Sequence, residues 1–249
     1  MRSLFVLCLL SLASPSAAAP TPEPDQLAKA EPSRVTKARE KAHDRLDALL
    51  AKKGLAFGKP VFIRAFKEEA ELELWMEDEK GKFVRLKTYA ICAASGELGP
   101  KQRVGDEQVP EGFYAVGAGA MNPASSYHLS FNIGYPNKLD KKLGRTGSLI
   151  MIHGDCVSIG CMAMTDDGIE EIYSLTDAAH TAGQSAVAVH VFPFRMTDKK
   201  MAQQKDSPWI EFWQNLKVGY DLFQSEKVPP KVSVKKKAYA FESGAVGGS

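Results

Sequence analysis

Residues 153–166 read His153-Gly154-Asp155-Cys156-Val157-Ser158-Ile159-Gly160-Cys161-Met162-Ala163-Met164-Thr165-Asp166. The apolar run Ser148 to Ile152 before them has strand character, so a strand delivers the chain to His153 and a Gly-Cys turn follows it. Cys161 can serve as a nucleophile beside His153, because a neighbouring imidazolium lowers a thiol pKa from about 8.5 to roughly 3.5–7.5. Gly160 lets the backbone turn so that amide N–H groups near Cys161 face a developing oxyanion. Zinc held by His153, Cys156, Cys161 and Cys92 is a second reading, weakened by the lack of a C-x-x-C knuckle. In the third, Cys161 is a small buried hydrophobe. Beside an enzyme these readings leave a non-catalytic binding module or a zinc-stabilised structural domain.

Upstream, Val61 to Phe66 and Leu72, Leu74, Met76 read as strands, followed by Val84, Leu86, Thr88, Ala90 and Cys92 on one alternating face. Phe113 to Val116 is a short strand, and the turn-rich stretch between Gly117 and Gly147 reads as ordered loops. Downstream, Asp167 and Glu170 suggest a capping pair for a helix through Ile169, Ile172 and Tyr173. Ala186 to Phe192 is a buried strand with His190 packed in the core. Ser207-Pro208 opens a helix carrying Trp209, Phe212, Trp213 and Leu216. Runs of strands with helices before and after them predict an α+β fold, mainly antiparallel and β-rich.

The ends have another character. Met1-Arg2, the apolar stretch Leu4 to Leu12 and the small residues up to Ala19 have the order of a secretory signal peptide, expected over residues 1–19. The apolar stretch is shorter than the roughly 20 residues of a membrane span, so none is expected. Residues 20–54 read as a proline-marked linker and an amphipathic helix with Val35, Ala38, Ala42, Leu46 and Leu49 on one face; His43 beside it reads as solvated surface. The catalytic domain is expected over 55–228, and 229–249, with Lys235-Lys236-Lys237, as a mobile tail. Lys plus Arg number 32 against 30 Asp plus Glu, a balance unlike that of a nucleic-acid binder.

Removal of the signal, with Cys8, leaves Cys92, Cys156 and Cys161. An odd thiol count in an oxidising compartment gives one pair and one free thiol, and catalysis is a reason to keep the latter. A Cys92–Cys156 pair would close a loop of about 64 residues, worth roughly 4 kcal/mol in the chain-entropy model. Both thiols could equally stay free, and a Cys156–Cys161 pair would silence the nucleophile.

The string from His153 to Asp166 resembles the active-site motif of the L,D-transpeptidase (YkuD-type) family, in particular its YafK-like murein branch. The likeness extends over Tyr89 to Val234, taking in residues 89–106, VPEGFYAV from Val109, FNIGYPN from Phe131, GRTG from Gly144, FPFRMTD from Phe192 and PPKVSV from Pro229. It implies a β-rich catalytic fold, Cys161 as nucleophile, His153 as its base oriented by backbone around Gly154, and Gly160 and Cys161 N–H groups as oxyanion hole. The family's more usual motif has a histidine where Ile159 stands and an arginine where Ala163 stands. Arg145 and Arg195 are candidate replacements, since guanidinium groups bind carboxylates bidentately. Ser158 could bind the loop or the substrate, and His128 is an alternative base.

With the signal-like first residues, the resemblance implies an exported, periplasmic cysteine acyl-transferase on diaminopimelate-containing peptidoglycan stem peptides, working through a Cys161 thioester; no cofactor and no metal are expected. An amine acceptor gives cross-linking or lipoprotein anchoring. Water gives the alternative outcome, an amidase releasing murein-bound outer-membrane lipoprotein.

Overall fold

The structure, a computed structural model, describes residues 24–245, with side chains from Ser33 onward. The expected signal peptide lies outside the described residues. Helix α1 (Pro24–Lys52) leads into β1 (Val61–Phe66), β2 (Glu71–Glu77), β3 (Phe83–Ala90), the short β4 (Ala93–Ala94) and β5 (Gly112–Gly117). Then come β6 (Met121–Asn122), β7 (Ser130–Asn132), α2 (Lys138–Lys142), β8 (Met151–His153), β9 (Met162–Ala163), α3 (Asp166–Thr181) and β10 (Ala186–Phe192). Helices α4 (Asp198–Gln203) and α5 (Ile210–Glu226) precede a hairpin of β11 (Lys231–Lys235) and β12 (Ala238–Glu242).

Two five-stranded sheets carry the α+β architecture. The first has the order β3-β2-β1-β10-β5 and the second β4-β9-β8-β7-β6. Every pairing is antiparallel except β1 with β10 and β8 with β9. Strand β1 is buried throughout because both faces of its sheet are covered. Val61, Ile63 and Ala65 join a core shared with α1, α3 and the inner residues Phe131, Ile152 and Met162 of the second sheet. Phe62 and Phe66 face Phe223 and Tyr220 of α5.

Several local expectations need correction. Helix α1 starts at Pro24 and runs through Pro32, ahead of the linker's expected end; Pro24 in the first turn forfeits no hydrogen bond, and the residues between are good helix formers. Its buried stripe is Ala38, Ala42, Leu46 and Leu50, with Leu49 at the margin. Strand β3 does not alternate: Phe83, Leu86 and Tyr89 are buried, because a bulge opposite Leu74/Trp75 leaves Leu86 extra and switches faces. Cys92 is consequently exposed. Thr165, accepting from Gly168 N, caps α3 in place of the Asp167–Glu170 pair. Ser207 makes a turn, its Oγ accepting from Trp209 N, and α5 begins only at Ile210.

The stretch expected as a mobile tail is largely the β11–β12 hairpin. Tyr239 is buried, its ring packs on Phe113, and its backbone is held at both N–H and C=O by Asn215 of α5. Tyr239 and Phe241 turn toward the core at alternate positions of β12, which a bare lysine count conceals.

Candidate active site

The second sheet has an inner face, Phe131, Ile152 and Met162, that is wholly buried. Side chains alternate along a strand, so the neighbouring positions face outward together. Parallel β8 and β9 pair Ile152 with Met162 and His153 with Ala163, which puts Cys161, Met151 and His153 on one face. Ser130 stands opposite His153 and Asn122 opposite Ser130 on that same face. A cleft of about 280 Å³ opens there, lined by Cys161, His153, Tyr127, Ser125, Asn122 and Leu149 among others.

The His153 Nδ1 lies 2.7 Å from the carbonyl oxygen of Gly154. A carbonyl only accepts, so Nδ1 carries a proton, and in the neutral imidazole Nε2 is then the nitrogen with the lone pair. The ring of Tyr127 lies 4.9 Å from the imidazole, centroid to centroid. The backbone beneath the imidazole needs Gly154: a Cβ there would stand 2.6 Å from Asp166 Oδ1 and 3.1 Å from His128 Cβ. Gly154 N donates to the carbonyls of Tyr127 and Leu129, and Arg34 of α1 clamps the same loop through the carbonyls of Ser125 and His128.

The link between His153 and Cys161 is under backbone strain. Asp155 and Cys156 both have positive φ, at 68° and 43°. Asp166 Oδ1 accepts from Asp155 N, and Cys156 is bonded to Cys92 with their Cα atoms 5.4 Å apart. That disulfide removes two of the four ligands of the zinc reading, and among the described residues no His, Cys, Asp and Glu group is placed to hold a metal.

Ser158 has the loop role: its Oγ accepts from Cys161 N at 2.9 Å and donates to Cys161 O at 2.7 Å. Gly160 N donates to Ser95 Oγ at 2.6 Å, and Ser95 Oγ in turn donates to Glu107 O. Both expected oxyanion donors therefore already have serine partners in this state. The thiol itself accepts from Met151 N at 3.4 Å. Burial pushes its pKa up, only partly countered by that N–H and by the Lys101 ammonium. The direction is opposite to the lowering that an adjacent imidazolium would give, because desolvation outweighs the favourable contacts.

Neither arginine reaches the cleft. Arg145 is buried, its Nη1 donates to Asp140 Oδ1 at 2.8 Å, and its guanidinium lies over Phe212. Arg195 binds Glu71 and, at 2.8 Å, Glu73, with its charge over Phe66. Each guanidinium is consumed by carboxylates of the scaffold. His128 is likewise engaged with Glu170, at 3.1 Å, and stays outside the cleft. Tyr127, Ser125 and Leu149, from loops, and Asn122, from the two-residue strand β6, also line it and went unnoticed because those segments carry no motif of their own.

A strand-borne histidine and a cysteine on one open face form a candidate cysteine-centred active-site cleft. The L,D-transpeptidase catalytic domain family matches residues 61–191, and the chain belongs to that family. It is 49% identical over 177 residues to the Escherichia coli K12 protein named "Putative L,D-transpeptidase YafK", covering 71% of this chain and 72% of that one. The same-named protein of Escherichia coli O157:H7 matches equally. Among solved structures, the helical cell shape determining protein Pgp2 of Campylobacter jejuni aligns at 22% identity with a TM-score of 0.44 over 76% of this chain and 67% of Pgp2, and its K307A mutant with a TM-score of 0.45 over 75% and 67%.

Proposed function

We propose that the protein is an exported cysteine acyl-transferase acting on diaminopimelate-containing stem peptides of peptidoglycan in the periplasm. The observation that carries this reading is the placement of His153 and Cys161 on one face of the second sheet, with His153 Nδ1–H fixed by Gly154 O. Nε2 takes the Sγ proton as sulfur attacks a peptide carbonyl carbon. The C–N bond then breaks, the imidazolium returns that proton to the leaving amine, and a Cys161 thioester remains. An acceptor amine or water next gives its proton to His153 and attacks the thioester, and the departing sulfur recovers the proton. For a backbone oxyanion hole, Gly160 N–H or Cys161 N–H exchanges its serine partner for the substrate oxygen.

Water as the acceptor, with release of murein-bound lipoprotein, is the second reading. Ile159 is an exposed apolar residue, Ala163 is buried, and among the described residues no Lys, Arg, Asp or Glu lines the cleft on the His153 side of Cys161, Lys101 and Glu107 bordering the hollow on its other side. An amine-bearing acceptor gains from a charged platform; water needs none.

Incubation of the purified protein with sacculi carrying or lacking bound lipoprotein, with products read by mass, tests both. Acyl transfer gives new cross-linked or anchored products, hydrolysis gives released lipoprotein, and Cys161→Ala gives neither. A Cys161→Ala protein that turns over as the parent does would refute the catalytic reading.

A further inference from the structure

The cleft at Cys161 continues beyond the nucleophile. Asn122 and Met151 border it and also a second hollow beside Asn132; Ala115 and Gly134 border that hollow and also a third, of about 560 Å³. Shared walls thus join the three into one track running from Cys161 to the β11–β12 hairpin. Lys141 borders the second hollow and Lys138 the third, while no Asp or Glu lines any of the three among the described residues. The track is cationic.

Its middle is the outer edge of the first sheet. Strand β5 pairs only with β10, and Phe113 turns its N–H and C=O outward, to Tyr239 OH and Asn137 Nδ2. Two residues on, exposed Ala115 faces the same way; its carbonyl lies against the Gly134 backbone, where a Cβ would stand 3.1 Å away, and among the described residues no strand pairs with it on that side. The Ala115 N–H, between two hollows, is left as a single donor that a crossing peptide carbonyl can meet. His190 lines the third hollow, its ring held between Phe62 and Phe113 and its buried Nδ1 without a hydrogen-bond partner. Burial and the nearby Arg64 charge keep that imidazole neutral.

We propose that this track binds the carboxylate-bearing peptide arm of a murein stem peptide, crossing the β5 edge at Ala115, with Lys141 and Lys138 meeting its carboxylates and its far end filling the hollow walled by His190. The proposal rests on the peptidoglycan reading above and adds where the non-reacting arm of the substrate lies.

The test uses the full chain carrying Cys161→Ala, which binds without turnover, and a diaminopimelate-containing disaccharide tetrapeptide as probe. Calorimetry at low ionic strength should give a Kd weakened about fivefold or more by Lys138→Glu with Lys141→Glu, and the difference should shrink with salt. The His190 imidazole nitrogen resonances should shift when the probe is added to protein with neither lysine changed, a readout independent of how the lysine variant folds. A Kd unchanged within about twofold in a folded double variant, or unmoved His190 resonances at saturating probe, overturns the track. Tighter binding of a lysine-terminated peptide than of the tetrapeptide also overturns it. Turnover of sacculi by the parent protein separates the two claims: with turnover intact only the track falls, and with neither turnover nor probe binding both fall.

Discussion

Ser158 and Cys161 hold one another twice: the serine Oγ accepts from the cysteine N–H at 2.9 Å and donates to its carbonyl at 2.7 Å. The four residues 158–161 are thereby closed into a turn, with Gly160 at φ 89° making the bend. Ser158→Ala removes both bonds and lets the nucleophile wander from the imidazole. Steady-state kinetics on a soluble muropeptide should show kcat lower by about tenfold, near 1.4 kcal/mol in barrier, with KM little changed. Unaltered kcat would remove Ser158 from the positioning of the thiol.

The raised pKa of Cys161 fixes how it titrates. Its folded state holds the thiol proton more tightly than an unfolded chain does. Its contribution to stability is therefore complete below the unfolded pKa and is lost as pH rises through the folded one. Iodoacetamide should alkylate Cys161 more slowly at neutral pH than a cysteine in a short peptide. The rate should rise with an inflection above the ordinary value of about 8.5; an inflection below that value would contradict the dominance of burial.

Cys92 and Cys156 tie the strained turn at Asp155 and Cys156 to the strand end that follows β3. Replacing both by alanine frees a 64-residue loop, a cost of about 4 kcal/mol in the chain-entropy model. Urea unfolding should register most of this. Reduction of the parent protein should also lower turnover while Cys161 remains countable as a free thiol beside two new ones.

Arg145 and Arg195 act on the scaffold. Arg145→Ala strands the buried Asp140 carboxylate, and a loss of about 3 kcal/mol is expected in denaturant unfolding. Muropeptide KM at a temperature where the variant stays folded should not move. A raised KM with unchanged stability would return this arginine to the substrate.

Glu170 joins α1 to α3. Burial pushes its carboxyl up, but hydrogen bonds from Lys41, Arg45 and His128 outweigh this and hold it below the ordinary value of 4.5. The stabilisation is present above that value and is lost as pH falls through the depressed folded pKa. Acid titration should show tertiary signal lost along this limb, and Glu170→Gln should flatten it. Because Arg34 of the same helix clamps the loop at Ser125 and His128, the effect should reach the cleft as well.

The strands β1, β2, β5 and β10 were legible because buried positions recur at strand period or run continuously between turn residues. Strand β3 was not, since one bulge reverses a face without any mark in the residue types. The hairpin at the C-terminal end was hidden for a related reason: its lysines dominate the composition while Tyr239 alone among its residues is buried.

His153, Cys161 and the Gly-rich link between them were readable locally, because a motif of covalently neighbouring residues carries its own chemistry. Which arginines are free, which face of a strand is open, whether Cys92 reaches Cys156 and what raises the thiol pKa depend on residues far apart in the chain. Burial, strand register and competition among carboxylates for a guanidinium arise only when the two sheets and α1 close on one another, so the tertiary structure alone decided them.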